Sequence, residues 1–330
     1  MKLIKMALLS FAYLCLIATL PMVSHAKTNV YTLGTGDRMG SYFPTGAAIA
    51  NIVKKTQGSD GFQLKVMETG GSVSNVNEMM KGDIDLSIMQ ADVQFQAVNG
   101  LADWKDAGPQ NELRSIFGLY VESLTLVASE DSGIKTLNDL TGKRVDIKSA
   151  DSGVRKNAID ALRIAGIDWE KDIIPFEGEP FDGPELLLDG EIDAFFYTVG
   201  HPSKAIKHAT NNVKRVRIVP IVGVEKLLSE KPYYVKSIIP MKFYHGALNN
   251  EDVETIGVKA ILTTTSTLPD DVAYAIAKAI YEDFISFRTY TEVLNMVTKE
   301  SLLEGLIAPI HPGAARYYNE IGLQIPPSIK

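Results

Sequence analysis

Two hydrophobic periods alternate along most of this chain. VYTL (30–33) is short, apolar and followed by a glycine turn, which predicts a strand. From Pro44 the apolar positions Ala48, Ile49, Ile52 and Val53 fall on one helical face, predicting a helix over 44–55 with proline in its first turn. FQLKVMET (62–69) alternates as a strand does. In GGSVSNVNEMMKG (70–82), Val73, Val76 and Met80 share a face, Ser72 is a fitting N-cap and Gly82 a stop. DLSIMQ (85–90) follows as a strand, and LRSIFGLYVESLTLVAS (113–129) supplies one long strand or two short ones.

The scheme then repeats. KRVDIKS (143–149) is a strand, ADSG a turn, and about 154–165 a helix. DIIPFEG (172–178) is a strand and GPELLLDG (183–190) a helix ended by Gly190. DAFFYTVG (193–200) and RVRIVPIVG (215–223) are strands. GDIDLSIMQ (82–90) and GEIDAFFYT (190–198) match position for position: a stopping glycine, an acid-Ile-Asp turn, a buried strand. Strands alternating with helices predict a mixed α/β sheet covered on both faces. Two such units predict two lobes. The tail continues with a strand-like VETIGVKAILTTTS (253–266), an amphipathic helix over 269–284 and a shorter helix. The expected arrangement has lobe I in 27–122 plus 238–330 and lobe II in 123–237. Ligands of such sheets bind beyond the carboxyl ends of the strands, here in a cleft between the lobes.

The N-terminus reads differently. Lys2 and Lys5 precede an apolar run from Met6 to Leu20, Pro21 breaks it, and Ser24-His25-Ala26 offers small residues. This is the pattern of a signal peptide over 1–26, its run of about 15 residues being short of the roughly 20 that span a bilayer. Cys15, the only cysteine, lies inside it. Leu14 stands where a lipoprotein signal has a small residue, so a freely exported product is expected, without disulfides, in a bacterial periplasm. Without Lys2 and Lys5 the chain has 31 basic and 40 acidic residues, a net charge of −9. That balance supplies no basic footprint for a nucleic acid.

The chemical motifs are mostly weak. GTGDRMG (34–40) spaces its glycines G-x-G-x-x-x-G, one residue too many for a dinucleotide fingerprint, and Arg38 and Met39 crowd the turn. It fits a small carboxylate better, through free N–H groups at a helix N-terminus. Ser132 to Lys135 matches S-x-x-K without its companion motifs. His201, His208, His245 and His311 lack paired metal-ligand spacing, and His311, between two prolines, reads as structural. Asp83, Asp85, Glu191 and Asp193 read as caps at helix-to-strand turns. No cofactor and no metal is expected. Polar residues remain at one edge of the predicted sheets: Thr69 to Ser72 with Asn75, Gln90 and Asp92, the turn Asp151 to Arg155, and the end of DAFFYTVGHP. They suit binding a small anion without transforming it.

GTGDRMGSYFPTGAAIA, ETGGSVSNVNEMMKGDIDLSIMQADVQFQAVNG, LTGKRVDI, DGEIDAFFYTVGHPSKAI and PIHPGAARYYNEIG, in that order, resemble the TAXI group of TRAP-transporter solute receptors. The resemblance spans 34–322. It implies the two-lobed fold of type II periplasmic binding proteins, acting as a monomer. It also implies capture of a small organic acid or amino acid, often a dicarboxylate such as glutamate or 2-oxoglutarate, for an integral membrane TRAP permease. By position it places ligand contacts near Gly40, Ser41, Tyr42, Gly71, Ser72, Asn75, Gln90, Asp92, Ser152, Gly153, Val154, Arg155, Phe196 and Tyr197. An exported sensor, or an exported enzyme on the same scaffold, are the alternatives. Two departures stand out. The family's G-T-G is usually followed by a small residue, where this chain has Asp37, Arg38 and Met39. Its second-lobe G-S-G-T turn is here Asp151-Ser152-Gly153-Val154, then Arg155. Arg155 is expected either to grip a ligand carboxylate or to face solvent. Arg38 has the same two options.

Overall fold

The computed structural model describes residues 29–58, 61–178 and 182–327; the predicted signal peptide and Cys15 lie outside them. The first strands are β1 (Val30–Gly34), β2 (Gln63–Met67) and β3 (Leu86–Gln90), linked by helices α1 (Tyr42–Gln57) and α2 (Ser72–Lys81). Helix α3 (Ala91–Val98) follows β3 directly, and β4 (Leu113–Ser129) is one continuous strand of 17 residues. The repeat of the scheme is β5 (Arg144–Asp146), α4 (Gly153–Ile164), β6 (Ile174–Phe176), α5 (Gly183–Asp189) and β7 (Ala194–Val199). After it come α6 (Lys204–Thr210), β8 (Val216–Val219), α7 (Glu225–Glu230), β9 (Tyr234–Ile239) and β10 (Val253–Thr265). The helices α8 (Asp270–Glu282), α9 (Phe284–Thr289) and α10 (Pro312–Glu320) complete the described chain.

The strands hydrogen-bond in the order β2-β1-β3-β10-β4-β7-β5-β6, with β8 also on β4 and β9 also on β10. Pairings within β1–β3 and within β5–β7 are parallel, as helix crossovers require. The long strands β4 and β10 join these two parallel groups by antiparallel pairing. The front of β4 pairs with β10, whereas its far end, Ser123 to Ser129, pairs with β7 and β8.

The local reasons hold where sequence gave them. Ala48, Ile49, Ile52 and Val53 are the buried face of α1. Gly82 and Gly190 end α2 and α5 with φ of 81° and 77°, a left-handed turn that glycine adopts without a Cβ penalty. The matching aspartates of the two acid-Ile-Asp turns do more than cap. Asp85 accepts the N–H of Thr32 at 2.7 Å, and Asp193 accepts the N–H of Arg144 at 2.8 Å, so each fastens the neighbouring parallel strand. Arg144 adds a 2.7 Å ion pair to Asp193, and this partner is the main reason its carboxyl lies below the usual range.

One cap differs from expectation. Ser72 is the first helical residue of α2, and Gly71, with φ 107°, takes the N-cap position. The Ser72 hydroxyl accepts the N–H of Gln90 instead, at 3.1 Å, tying α2 to the end of β3. His311 is structural, as read: buried at the head of α10, its ring accepts the Gly313 N–H and meets the Leu268 carbonyl. Ser132 Oγ donates to the Ser129 carbonyl at 2.6 Å within a short turn.

Candidate functional site

The carboxyl ends of β1, β3 and β7 point to one cavity of about 420 Å³, its mouth included. Its lining comes from both parallel groups: the glycine turn after β1, the start of α2, Gln90, Glu122 in mid-β4, the start of α4, and Tyr197 to Val199 of β7. Helices α1, α2 and α4 begin at Tyr42, Ser72 and Gly153, all three on the cavity wall. The N–H groups of these first residues meet no protein acceptor among the described residues. Such groups carry positive potential and bind anions.

Polar bonds cross the cavity from one group of strands to the other. Tyr197 Oη donates to Asp37 Oδ2 at 2.6 Å, and the Gly200 N–H donates to Ser41 Oγ at 3.2 Å. The carbonyl of Asp151 accepts from Val73 and Ser74 in the first turn of α2, at 3.1 and 3.2 Å. Behind the wall, Asn157 of α4 donates to Asp92 Oδ2 at 2.8 Å and accepts from Gln90 Nε2 at 2.5 Å. Tyr234 extends this buried chain to Asp160 at 2.9 Å, and Lys231 pairs with Asp160 at 2.6 Å.

Asp37 fills a position that the sequence reading left to a ligand. Its Oδ1 accepts the N–H of Met39 at 2.9 Å and of Gly40 at 2.8 Å, while Oδ2 holds Tyr197. The glycine turn thus cradles the chain's own carboxylate. The turn has no room for a side chain at position 40: a Cβ on Gly40 would sit 2.7 Å from Tyr197 Oη. At Gly153 a Cβ would meet the Gln90 side chain, its Cδ at 2.7 Å, so α4 approaches β3 as closely as glycine allows.

Most of the residues singled out from sequence lie on this wall: Gly40, Ser41, Tyr42, Gly71, Ser72, Gln90, Ser152, Gly153, Val154 and Tyr197. Four do not. Asn75 is fully buried and donates to the carbonyls of Thr35 and Ile88 at 2.8 Å each, bracing β1 against β3. Asp92 lies behind Gln90 in the Asn157 network. Phe196 alternates away from Tyr197 into the core. Arg155 neither reaches the cavity nor faces water. Its guanidinium donates to Glu177 at 2.9 Å and to the Lys148 carbonyl at 3.0 Å, and lies 4.8 Å from the Trp169 ring centre. Arg38 is 69% exposed, pairs with Glu68 at 2.9 Å and stacks on Phe43. Among the described residues, no lysine, arginine or histidine lines the cavity.

Sequence reasoning missed Glu122 and Asp37. Glu122 is 2% exposed. Its Oε2 accepts from Tyr42 Oη at 2.6 Å, and Oε1 meets no donor among the described residues. Burial, with a smaller contribution from the charge of Asp92, holds the Glu122 carboxyl well above the usual range. Burial likewise raises Asp92 to about 7, with Asp160 adding to the effect. His201, buried against Tyr244 and Thr125, is pushed down to about 3 by burial and stays neutral. Among the described residues no group of three or more His, Cys, Asp or Glu forms a metal cluster, and no helix is long and apolar enough to cross a membrane.

The same architecture recurs in solved structures of low sequence identity. One described as a periplasmic transporter matches with a TM-score of 0.52 and 12% identity, over 81% of this chain and 85% of that one. The ligand-binding component of an ABC-type import system from Staphylococcus aureus matches with a TM-score of 0.50 and 13% identity, over 91% and 94%. A binding-protein component of an ABC phosphonate transporter from Pseudomonas aeruginosa matches with a TM-score of 0.50 and 10% identity, over 81% and 79%. These likenesses establish a shared fold. In sequence, residues 33–322 match the model of the NMT1-like family, and the chain belongs to that family.

Proposed function

We propose that this protein is an extracytoplasmic solute-binding receptor. It captures a small organic acid or amino acid in the cavity between two lobes, without turnover, and presents it to a membrane transporter. The observation that carries the reading is the meeting of three helix N-termini, drawn from both parallel groups of strands, on one polar cavity. A carboxylate placed there would receive N–H groups from α1, α2 and α4 together. Such a ligand stabilises the closed arrangement because only closure brings the three starts together.

In this reading lobe I is 27–122 plus 238–330, lobe II is 123–237, and the hinge lies where β4 changes partner and where β9 runs into β10. The polar bonds across the cavity are then the latch of the closed form. The N-terminal segment would direct the product to the periplasm, where it acts as a monomer. The solved relatives in fold that serve ABC import support the receptor role. The resemblance to TAXI proteins supports a TRAP-type permease as partner.

A thermal-shift screen of organic acids, amino acids and neutral sugars tests the reading, because a ligand bound to the native state raises its stability as ln(1 + [L]/Kd). Stabilisation confined to acids or amino acids is expected. Stabilisation by neutral sugars alone would contradict it. Uptake reconstituted with the permease separates the transporter types: an ion gradient without ATP suffices for a TRAP system, and ATP dependence would rule that partner out.

A further inference from the structure

A second concavity lies on the opposite face of β4 from the solute cavity. Glu122 lines the solute cavity, and its chain neighbours Val121 and Ser123 face the other way, as strand alternation requires. There they line a groove of about 970 Å³, its mouth included, bounded by β9, by Lys259 of β10 and by side chains from 293–304. The groove shares no lining residue with the solute cavity. Its apolar wall includes Leu119, Val121, Ile238, Phe243, Val293 and Met296. Three of these are open to solvent together: Val121 is 39%, Ile238 59% and Met296 74% exposed. Apolar exposure gathered around one groove, with a polar rim, marks a binding surface; single scattered apolar residues do not.

A half-buried cation lines the same groove. The stem of Lys259 is pressed between two glycines: a Cβ on Gly118 would come 2.9 Å from Lys259 Cε, and one on Gly305 3.2 Å from its Cβ and Cγ. The ammonium meets no carboxylate and no other acceptor among the described residues. Burial lowers its pKa, and the charge of exposed Glu304 opposes that from beyond ion-pair distance. Lys242, exposed at the rim, holds its ammonium 5.1 Å from the Phe243 ring centre. His201, also on the wall, is neutral. The groove therefore sets two cations against one carboxylate. A partly desolvated ammonium without a partner costs free energy that an incoming anion recovers. We infer that this groove is a second binding site, for a single-tailed amphipathic anion whose carboxylate pairs with Lys259 and whose alkyl chain lies along the apolar wall. The stem of Lys259, already held in place, has little freedom left to lose on binding. The site goes beyond the receptor reading and does not rest on it.

The test is isothermal titration of a protein spanning residues 27–330 with hexanoate, octanoate and decanoate, below their micelle concentrations, and with octanamide as the uncharged control. Affinity should rise about fourfold for each added CH₂. Octanamide should bind roughly 10- to 100-fold more weakly than octanoate. Lys259→Met keeps the stem, removes the charge and should weaken octanoate by a similar factor. Val121→Asp sets a carboxylate opposite Lys259 on the paired strand, supplies the anion from within, and should weaken octanoate likewise. Circular dichroism should stay native for both variants. The chain-length and amide comparisons use the unaltered protein and stand however the variants fold. No binding, affinity independent of chain length, octanamide equal to octanoate, or octanoate binding that both folded variants leave intact would each overturn the site. None of these results bears on the thermal-shift screen of the solute cavity, so the two readings fail separately.

Discussion

Asp92 offers a stability test independent of any ligand. It is fully buried, lies behind the cavity wall and accepts a 2.8 Å hydrogen bond from Asn157. Burial raises its carboxyl from an ordinary 3.8 to about 7. The unfolded chain loses this proton near pH 4, whereas the folded chain keeps it until near pH 7. Folding is therefore unaffected by this group below about pH 4, and is progressively penalised as pH rises through 7. A difference of about three pKa units at 1.36 kcal/mol each gives roughly 4 kcal/mol lost across that window. Asp92→Asn retains the shape and an acceptor for Asn157 but cannot ionise. Urea unfolding of both proteins at intervals from pH 4 to pH 8.5 reads the effect as the difference between them. Glu122 acts in the same direction in both and largely cancels. The variant is expected to gain on the native protein by on the order of 4 kcal/mol as pH rises, whatever constant offset the exchange introduces. A difference independent of pH would refute the reasoning.

Other outcomes follow from the geometry. Gly153→Ala places a methyl group against the Gln90 side chain and Val93, so α4 cannot close on β3; ligand affinity should fall roughly tenfold or more while circular dichroism stays native. Tyr197→Phe removes a 2.6 Å donor from Asp37 and should cost roughly 1.5–3 kcal/mol in urea unfolding; an unchanged midpoint would show that the latch contributes nothing. Arg155→Ala should lower thermal stability through the lost Glu177 and Trp169 contacts while leaving ligand affinity within about twofold; a large loss of affinity would place Arg155 in the site after all.

Much of the fold was legible because it rests on local pattern. The helical face of α1, the stops at Gly82 and Gly190, and the repeated acid-Ile-Asp turns each depend on residues close in sequence. The edge of the sheet that carries the cavity was legible for the same reason, since strand ends and helix starts mark it. Individual side chains were not. Asp37 reads as one polar residue in a turn until Tyr197, distant in sequence, closes on it. Arg155 looks free at a helix start until Glu177, Trp169 and the Lys148 carbonyl are folded around it. Ser72 looks like a cap until the Gln90 N–H claims its hydroxyl. Glu122 left one usable signal: it is the lone charged residue between Arg114 and Ser129, in a strand otherwise apolar or small and neutral. Such a residue is costly to bury, and therefore worth asking about.

Closure of two lobes on a solute is the central claim, and the distance between the lobes measures it most directly. Residues 27–330 contain no cysteine, so in a protein of that span spin labels at Lys81→Cys on α2 and Arg163→Cys on α4, both exposed, would be the only ones present. Pulsed electron-electron resonance without ligand should show a broad distribution that includes separations longer than the closed form allows. Saturation with the acid or amino acid identified by thermal shift should collapse it to one short, narrow distance. A distribution that ligand leaves unchanged would contradict the account.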